Sequence, residues 1–102
     1  MRIGIVAPST PILPDDAEAV RAVASIGYPD VELEFDPQCF AVHGHFAGED
    51  GHRFAALVEM ANRSDIEAVW FARGGYGACR IAEDAVAAMT PAARGKAFLG
   101  YS

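Results

Sequence analysis

The amino-acid sequence predicts an α/β domain in which a parallel sheet is flanked by helices, on three observations. Short, mostly apolar runs recur at Ile3–Ala7, Val31–Phe35, Ala68–Ala72 and Lys96–Leu99. Between them lie segments whose apolar residues repeat at helical spacing. Turn-forming residues close three of the runs, at Pro8-Ser9-Thr10-Pro11, Arg73-Gly74-Gly75-Tyr76-Gly77 and Gly100-Tyr101-Ser102. The order βαβαβαβ implies right-handed crossovers and parallel strands, so a binding site is expected at the strands' carboxyl ends.

Ile3–Ala7 reads as a buried first strand. Asp15 followed by Glu18 resembles a capping box, Ala17, Val20 and Ala24 share one helical face, and Gly27 supplies a stop. Val31, Leu33 and Phe35 alternate with Glu32 and Glu34, as in a strand with one wet face near a sheet edge. Asp36 to Gly48 follows neither period and reads as a long loop. Phe54, Leu57, Val58 and Ala61 mark a second helix that begins near Glu49 or Asp50 and ends by Asn62. Ala68–Ala72 is continuously apolar, as expected of a central parallel strand. Ile81, Ala85, Val86 and Met89 give a third helix ended by Thr90-Pro91, and Lys96–Leu99 is the fourth strand.

The chain of 102 residues is sized for one domain, and its 52% hydrophobic content is that of a globular protein with a packed core. Eight Lys plus Arg against a net charge of −6 argue against the clustered cations that nucleic acid or an anionic membrane requires, so neither is expected as a partner. Cys39 and Cys79 stand singly and read as reduced thiols. Met1-Arg2 leads straight into a short apolar run, without the pattern of a signal peptide, and no apolar stretch approaches about 20 residues, so a cytoplasmic protein is expected.

The glycines of the Arg73–Gly77 loop allow two readings, a tight βα turn or a cradle of N–H groups for an anion or oxyanion. Arg73 favours the second, because a planar guanidinium at a central strand's carboxyl end suits a carboxylate or phosphate, and Tyr76 adds a ring and a hydroxyl. Gly75-x-Gly77-x-x-Arg80 lacks the third glycine of a dinucleotide fingerprint, and no Gly-Lys-Ser/Thr makes a phosphate loop. Ser102, at the end of an apolar strand, reads either as a nucleophile on a sharp turn or as a helix N-cap. His43 and His45 lack a third ligand at metal spacing, and His52 falls on the first turn of a helix, so no metal site is expected and none of the three is a persuasive base. Glu49 and Asp50 read as favourable anions at a helix amino-terminus.

Three stretches together, Ile3-Gly4-Ile5-Val6-Ala7-Pro8-Ser9, Ala68-Val69-Trp70-Phe71-Ala72-Arg73-Gly74-Gly75-Tyr76-Gly77 and Phe98-Leu99-Gly100-Tyr101-Ser102, resemble the L,D-carboxypeptidases, which act on muramoyl tetrapeptides. Phe46-Ala47-Gly48 followed by Arg53 is similar to that family's segment between the second and third strands. The resemblance implies a three-layer flavodoxin-like fold, also described as class I glutamine amidotransferase-like. It implies Ser102 as nucleophile, Gly75 as the oxyanion-hole amide with Gly74 beside it, and Arg73, Gly74, Tyr76 and Ser9 around the substrate. It implies no cofactor, a murein-peptide substrate from which terminal D-alanine is released, and is compatible with a homodimer. Residues 1–102 are then an amino-terminal domain ending at the nucleophile. The triad's glutamate and histidine come from a carboxyl-terminal domain outside these residues, so this fragment alone is expected to be inactive. A related microcin C immunity-type serine hydrolase is the nearest alternative. A non-catalytic flavodoxin-like module binding a small anion is the alternative of another class.

Overall fold

The computed structural model describes residues 1–44, 46–73 and 85–99. Four parallel strands, β1 (Arg2–Val6), β2 (Glu32–Phe35), β3 (Ala68–Phe71) and β4 (Ala97–Leu99), form one sheet in the order β2-β1-β3-β4. The helices are α1 (Pro14–Gly27), α2 (Asp50–Asn62), a short helical segment at 85–88 (α3) and a single turn, α4 (Pro91–Arg94). This is the flavodoxin-like order, and its direction of winding reverses between β1 and β3, where the crevice of such sheets lies.

Strand register explains the apolar pattern. Ile5 pairs with Phe35 on one side and Trp70 on the other, and Val6 pairs with Phe71. One face of the sheet carries Val6, Val69, Phe71 and Phe98, packed against Leu57, Met60 and Ala61 of α2 and against Met89 and Ala93. The opposite face carries Ile5, Leu33, Phe35 and Trp70, together with Cys39 and Ala47. β1 and β3 are internal and apolar on both faces, whereas β2 lies at the edge, as its alternation implies. Gly4 is required by close packing, since a Cβ there would stand 2.3 Å from Met60 Sδ.

Several sequence expectations are corrected in detail. The capping interaction of α1 is not Asp15 with Glu18; the N-cap is Leu13, and Asp16 Oδ2 accepts its N–H at 3.1 Å. The stretch Asp36–Gly48 contains a 3₁₀ turn, Pro37–Phe40, capped by the Asp36 side chain. It also contains a bridge between His43 and Phe46, with Gly44 turning the chain at φ +61°. Thr90-Pro91 starts a helical turn as well as following one: Thr90 Oγ1 accepts the Ala93 N–H at 3.1 Å, and proline fits the first helical position. The polar face of β2 stays in contact with solvent, as its alternation implies, and its two carboxylates are paired there, Glu34 with Arg63 and Glu32 with Arg2.

Those two arginines form one network at the amino end of the sheet. Arg2 donates to Glu32 and Asp65, each at 2.9 Å, and Arg63 donates to Asp65 at 2.7 Å and to Glu34. The Arg63 guanidinium holds the Asp65 carboxyl down at about 2 and keeps Glu34 below its ordinary value. Carboxyls so depressed stabilise the fold fully above the ordinary carboxylate range, and that contribution disappears as pH falls through it towards the folded-state value. The thermal midpoint is therefore expected to stay level from about pH 7 to about pH 5 and to decline from about pH 4 to about pH 2. Arg63→Gln should lower the neutral plateau and flatten the acid decline in a pH series of melts; an unchanged acid profile would remove the network from the account. The effect is modest because the pairs are exposed to solvent.

Candidate functional site

In a parallel sheet every strand delivers its carboxyl end to the same edge. Here the chain leaves β1 at Val6 and β3 at Phe71, which are register partners, and Trp70 pairs with Leu99 of β4. Ala7-Pro8-Ser9 and Ala72-Arg73 therefore flank the reversal of winding.

Leaving the sheet exposes backbone polar groups that still lie in the interior, and each needs a partner. Gln38, 1% exposed, supplies three. Its Oε1 accepts the Ala7 N–H at 3.1 Å, while Nε2 donates to Ala7 O at 2.6 Å and Ala47 O at 2.7 Å. One amide thus completes the β1 ladder where strand pairing stops and ties it to the 46–48 segment. Ala47 N–H donates to Ser9 O at 2.7 Å, and Ile12 N–H donates to Cys39 O at 2.9 Å. Cys39 Sγ donates to Ile5 O at 3.3 Å. Burial pushes the Cys39 thiol up to about 12, which makes it a packing group rather than a nucleophile.

Arg53 approaches the same loop from α2. Its side chain is fully buried, 0% exposed. Nη1 donates to Pro8 O at 2.8 Å, Nε to Gly48 O at 3.3 Å, and Nη2 to the Asp50 carboxylate. The Phe46 ring lies under the guanidinium, 4.6 Å from centroid to Cζ. Gly48 has φ +88°, so the turn that presents its carbonyl to Arg53 requires glycine, and a Cβ there would also stand 2.6 Å from His52 Nδ1 and push that exposed side chain aside.

The expected site residues fall as follows. Ser9 is in the loop after β1, 1% exposed, with its carbonyl bonded to Ala47. Arg73 is exposed at the end of β3. A cavity of about 290 Å³ lies beside it, floored by Ile5, Phe35 and Trp70 and rimmed by Asp16 and Arg73. Gly74, Gly75, Tyr76 and Ser102 lie outside the described residues, as do His45 and Cys79. His43 and His52 are exposed. Among the described residues, no cluster of three His, Cys, Asp or Glu is arranged to hold a metal, and no helix is long and apolar enough to cross a membrane.

Sequence reasoning missed Gln38 and the interior position of Arg53. A signal for Arg53 was present: residues 53, 56, 57, 60 and 61 form the buried stripe of α2, which shares Leu57 and Ala61 with the predicted face, and an arginine at helical spacing within such a stripe marks a buried cation. Gln38 carries no comparable mark.

The LD-carboxypeptidase N-terminal domain family matches residues 3–102. A probable murein peptide carboxypeptidase of Bacillus subtilis (strain 168) is 32% identical over 80 residues, which are 78% of this chain and 24% of that protein. The structure of a muramoyltetrapeptide carboxypeptidase from Oxalobacter formigenes superposes with TM-score 0.72 at 27% identity, covering 100% of this chain and 33% of that one. The structure of MccF in complex with glutamyl sulfamoyl guanosine gives TM-score 0.75 at 19% identity over 99% of this chain and 30% of that one, a likeness of fold. The chain thus spans between 24% and 33% of the length of these relatives.

Two substitutions test the framework of this edge. Gly48→Ala should destabilise the protein by about 1–3 kcal/mol in urea unfolding through the left-handed backbone alone, with His52→Ala in that background recovering only the steric part. Gln38→Met, which orphans three buried backbone groups, should cost about 3 kcal/mol or more; a loss under 1 kcal/mol, on the order of one ordinary bond, would deny Gln38 its role.

Proposed function

We propose, because this chain belongs to the LD-carboxypeptidase family through its N-terminal domain, that the intact protein is a cytoplasmic serine carboxypeptidase that releases terminal D-alanine from murein tetrapeptides during peptidoglycan recycling. The observation that supports this reading is the gathering of the ends of β1, β3 and β4 at one edge, with Gly100-Tyr101-Ser102 following β4 along the chain.

In this mechanism the Ser102 hydroxyl attacks the carbonyl between an L-centre and the terminal D-alanine. The tetrahedral intermediate collapses to an acyl-enzyme as the histidine passes the serine's proton to the departing D-alanine amine, and water, deprotonated by the same histidine, then releases the shortened peptide and restores the serine hydroxyl. A glutamate and a histidine from a carboxyl-terminal domain orient and deprotonate the serine. The Gly75 amide and the amide of the residue after Ser102 face the developing oxyanion, each worth about 3 kcal/mol in the transition state. Arg73 reads the terminal carboxylate through its guanidinium fork, with Gly74, Tyr76 and Ser9 lining the substrate. No cofactor takes part. The intact protein forms a homodimer in this proposal, and residues 1–102 by themselves, lacking base and orienter, are inactive.

Release of D-alanine from murein tetrapeptide is measured for this fragment, the full-length gene product, and its Ser102→Ala and Arg73→Ala variants. Release is expected from the unaltered full-length protein and not from Ser102→Ala. Arg73→Ala should raise KM about 10-fold or more, the cost of one charged hydrogen bond. Equal release by Ser102→Ala would sink the mechanism. Turnover of an aminoacyl-sulfamoyl nucleotide in place of tetrapeptide would move the substrate class.

A further inference from the structure

We infer that Arg53 is a positioning residue for the substrate side of this site: from the first turn of α2 it sets the orientation of the Pro8–Ser9 peptide where the chain leaves β1. The inference rests on the function proposed above and extends it to a residue remote from the serine.

Three observations carry it. A fully buried cation is an expensive choice for a helix stripe whose other members are Ala56, Leu57, Met60 and Ala61. For packing alone, an apolar side chain of similar volume serves as well or better, so the arginine is retained for what its donors hold. Second, its acceptors among the described residues lie on two parts of the chain, Pro8 O beyond β1 and, at the turn into α2, Gly48 O and the Asp50 carboxylate. A planar guanidinium reaches all three with fixed angles between them, which an ammonium point charge does not. Third, Gln38 and Arg53 divide the loop between them. Gln38 holds Ala7, the last residue continuous with the strand, whereas Arg53 holds Pro8, directly before Ser9. Gln38 thus serves the fold, and Arg53 fixes the part of the loop proposed to meet substrate.

A group acting in this way governs substrate binding and leaves the serine's own reactivity in place. Both are read in the full-length enzyme, as KM and kcat on murein tetrapeptide and as the rate at which a small fluorophosphonate phosphonylates Ser102. In that labelling step the Oγ–P bond forms as fluoride leaves and the hydroxyl proton passes to the base. Arg53→Lys keeps the charge and loses the fork. It is expected to raise KM about 10- to 100-fold, as small displacements of positioning groups do, with labelling within about 3-fold of the unaltered enzyme. Asp50→Asn, at a partly exposed side chain that folding tolerates, should raise KM less and in the same sense, and it decides the matter if Arg53→Lys does not fold. Unchanged KM, or KM and labelling impaired together with the melting temperature, would overturn the inference. An unaltered enzyme that releases no D-alanine would overturn the proposed function and this inference with it, whereas an active parent with parent-like variants overturns this inference alone.

Discussion

The structure depends on how the backbone of Ala7-Pro8-Ser9 is satisfied after it leaves the sheet. Inside β1, ladder bonds to β2 and β3 satisfy the strand's peptide groups, and beyond Val6 that ladder ends while the chain is still buried. Water is excluded there, so an orphaned peptide group would cost on the order of 1–3 kcal/mol. Gln38 and Arg53 meet this need from opposite directions, one from the 3₁₀ turn after β2 and the other from α2. The consequence is mechanical. The β1 exit, the 46–48 turn and the start of α2 are bonded into one unit, and the edge that receives substrate in the proposed function is built on that unit.

The two ends of the sheet use charge differently. At the amino end, Arg2 and Arg63 pair with Glu32, Glu34 and Asp65 in an exposed network, and the Lys96 ammonium adds a bond to Arg63 O. At the carboxyl end, Arg53 is consumed by the fold, and Arg73 stands exposed beside an apolar cavity. In the proposed function, that exposed arginine at the reversal of winding is the group that meets the substrate's anionic end.

The strands and their succession along the chain were legible because each internal strand is apolar throughout and each is closed by turn residues. The second helix was legible for its limits and for most of its face, since Phe54, Leu57, Val58 and Ala61 all pack on the core; the buried Arg53 edge of that face was not. The fully buried stripe also takes in Arg53, Ala56 and Met60, and Arg53 was passed over because a charged residue weighs against a hydrophobicity pattern. The 3₁₀ turn at Pro37–Phe40 has no long period to announce it. Proline after Thr90 signals a terminator in the local pattern, although the same residue pair nucleates a helix when threonine caps it. In each case tertiary hydrogen bonding decided what local pattern left open.

Buried polar side chains are the part of a site that composition hides, and in the proposed function they bear on why this edge would suit acyl transfer. A loop shaped by apolar packing can slide, since dispersion contacts are non-directional, whereas one held by Gln38 and Arg53 has its peptide planes set by angle as well as distance. Acyl transfer draws most of its rate from donors and carbonyl groups aligned before the reaction begins. In the proposed function, the cost of burying a guanidinium at Arg53 is matched to a demand for fixed geometry at Pro8–Ser9, and the left-handed glycine at position 48 is the second half of the same device, because that turn brings a second backbone carbonyl within reach of the fork.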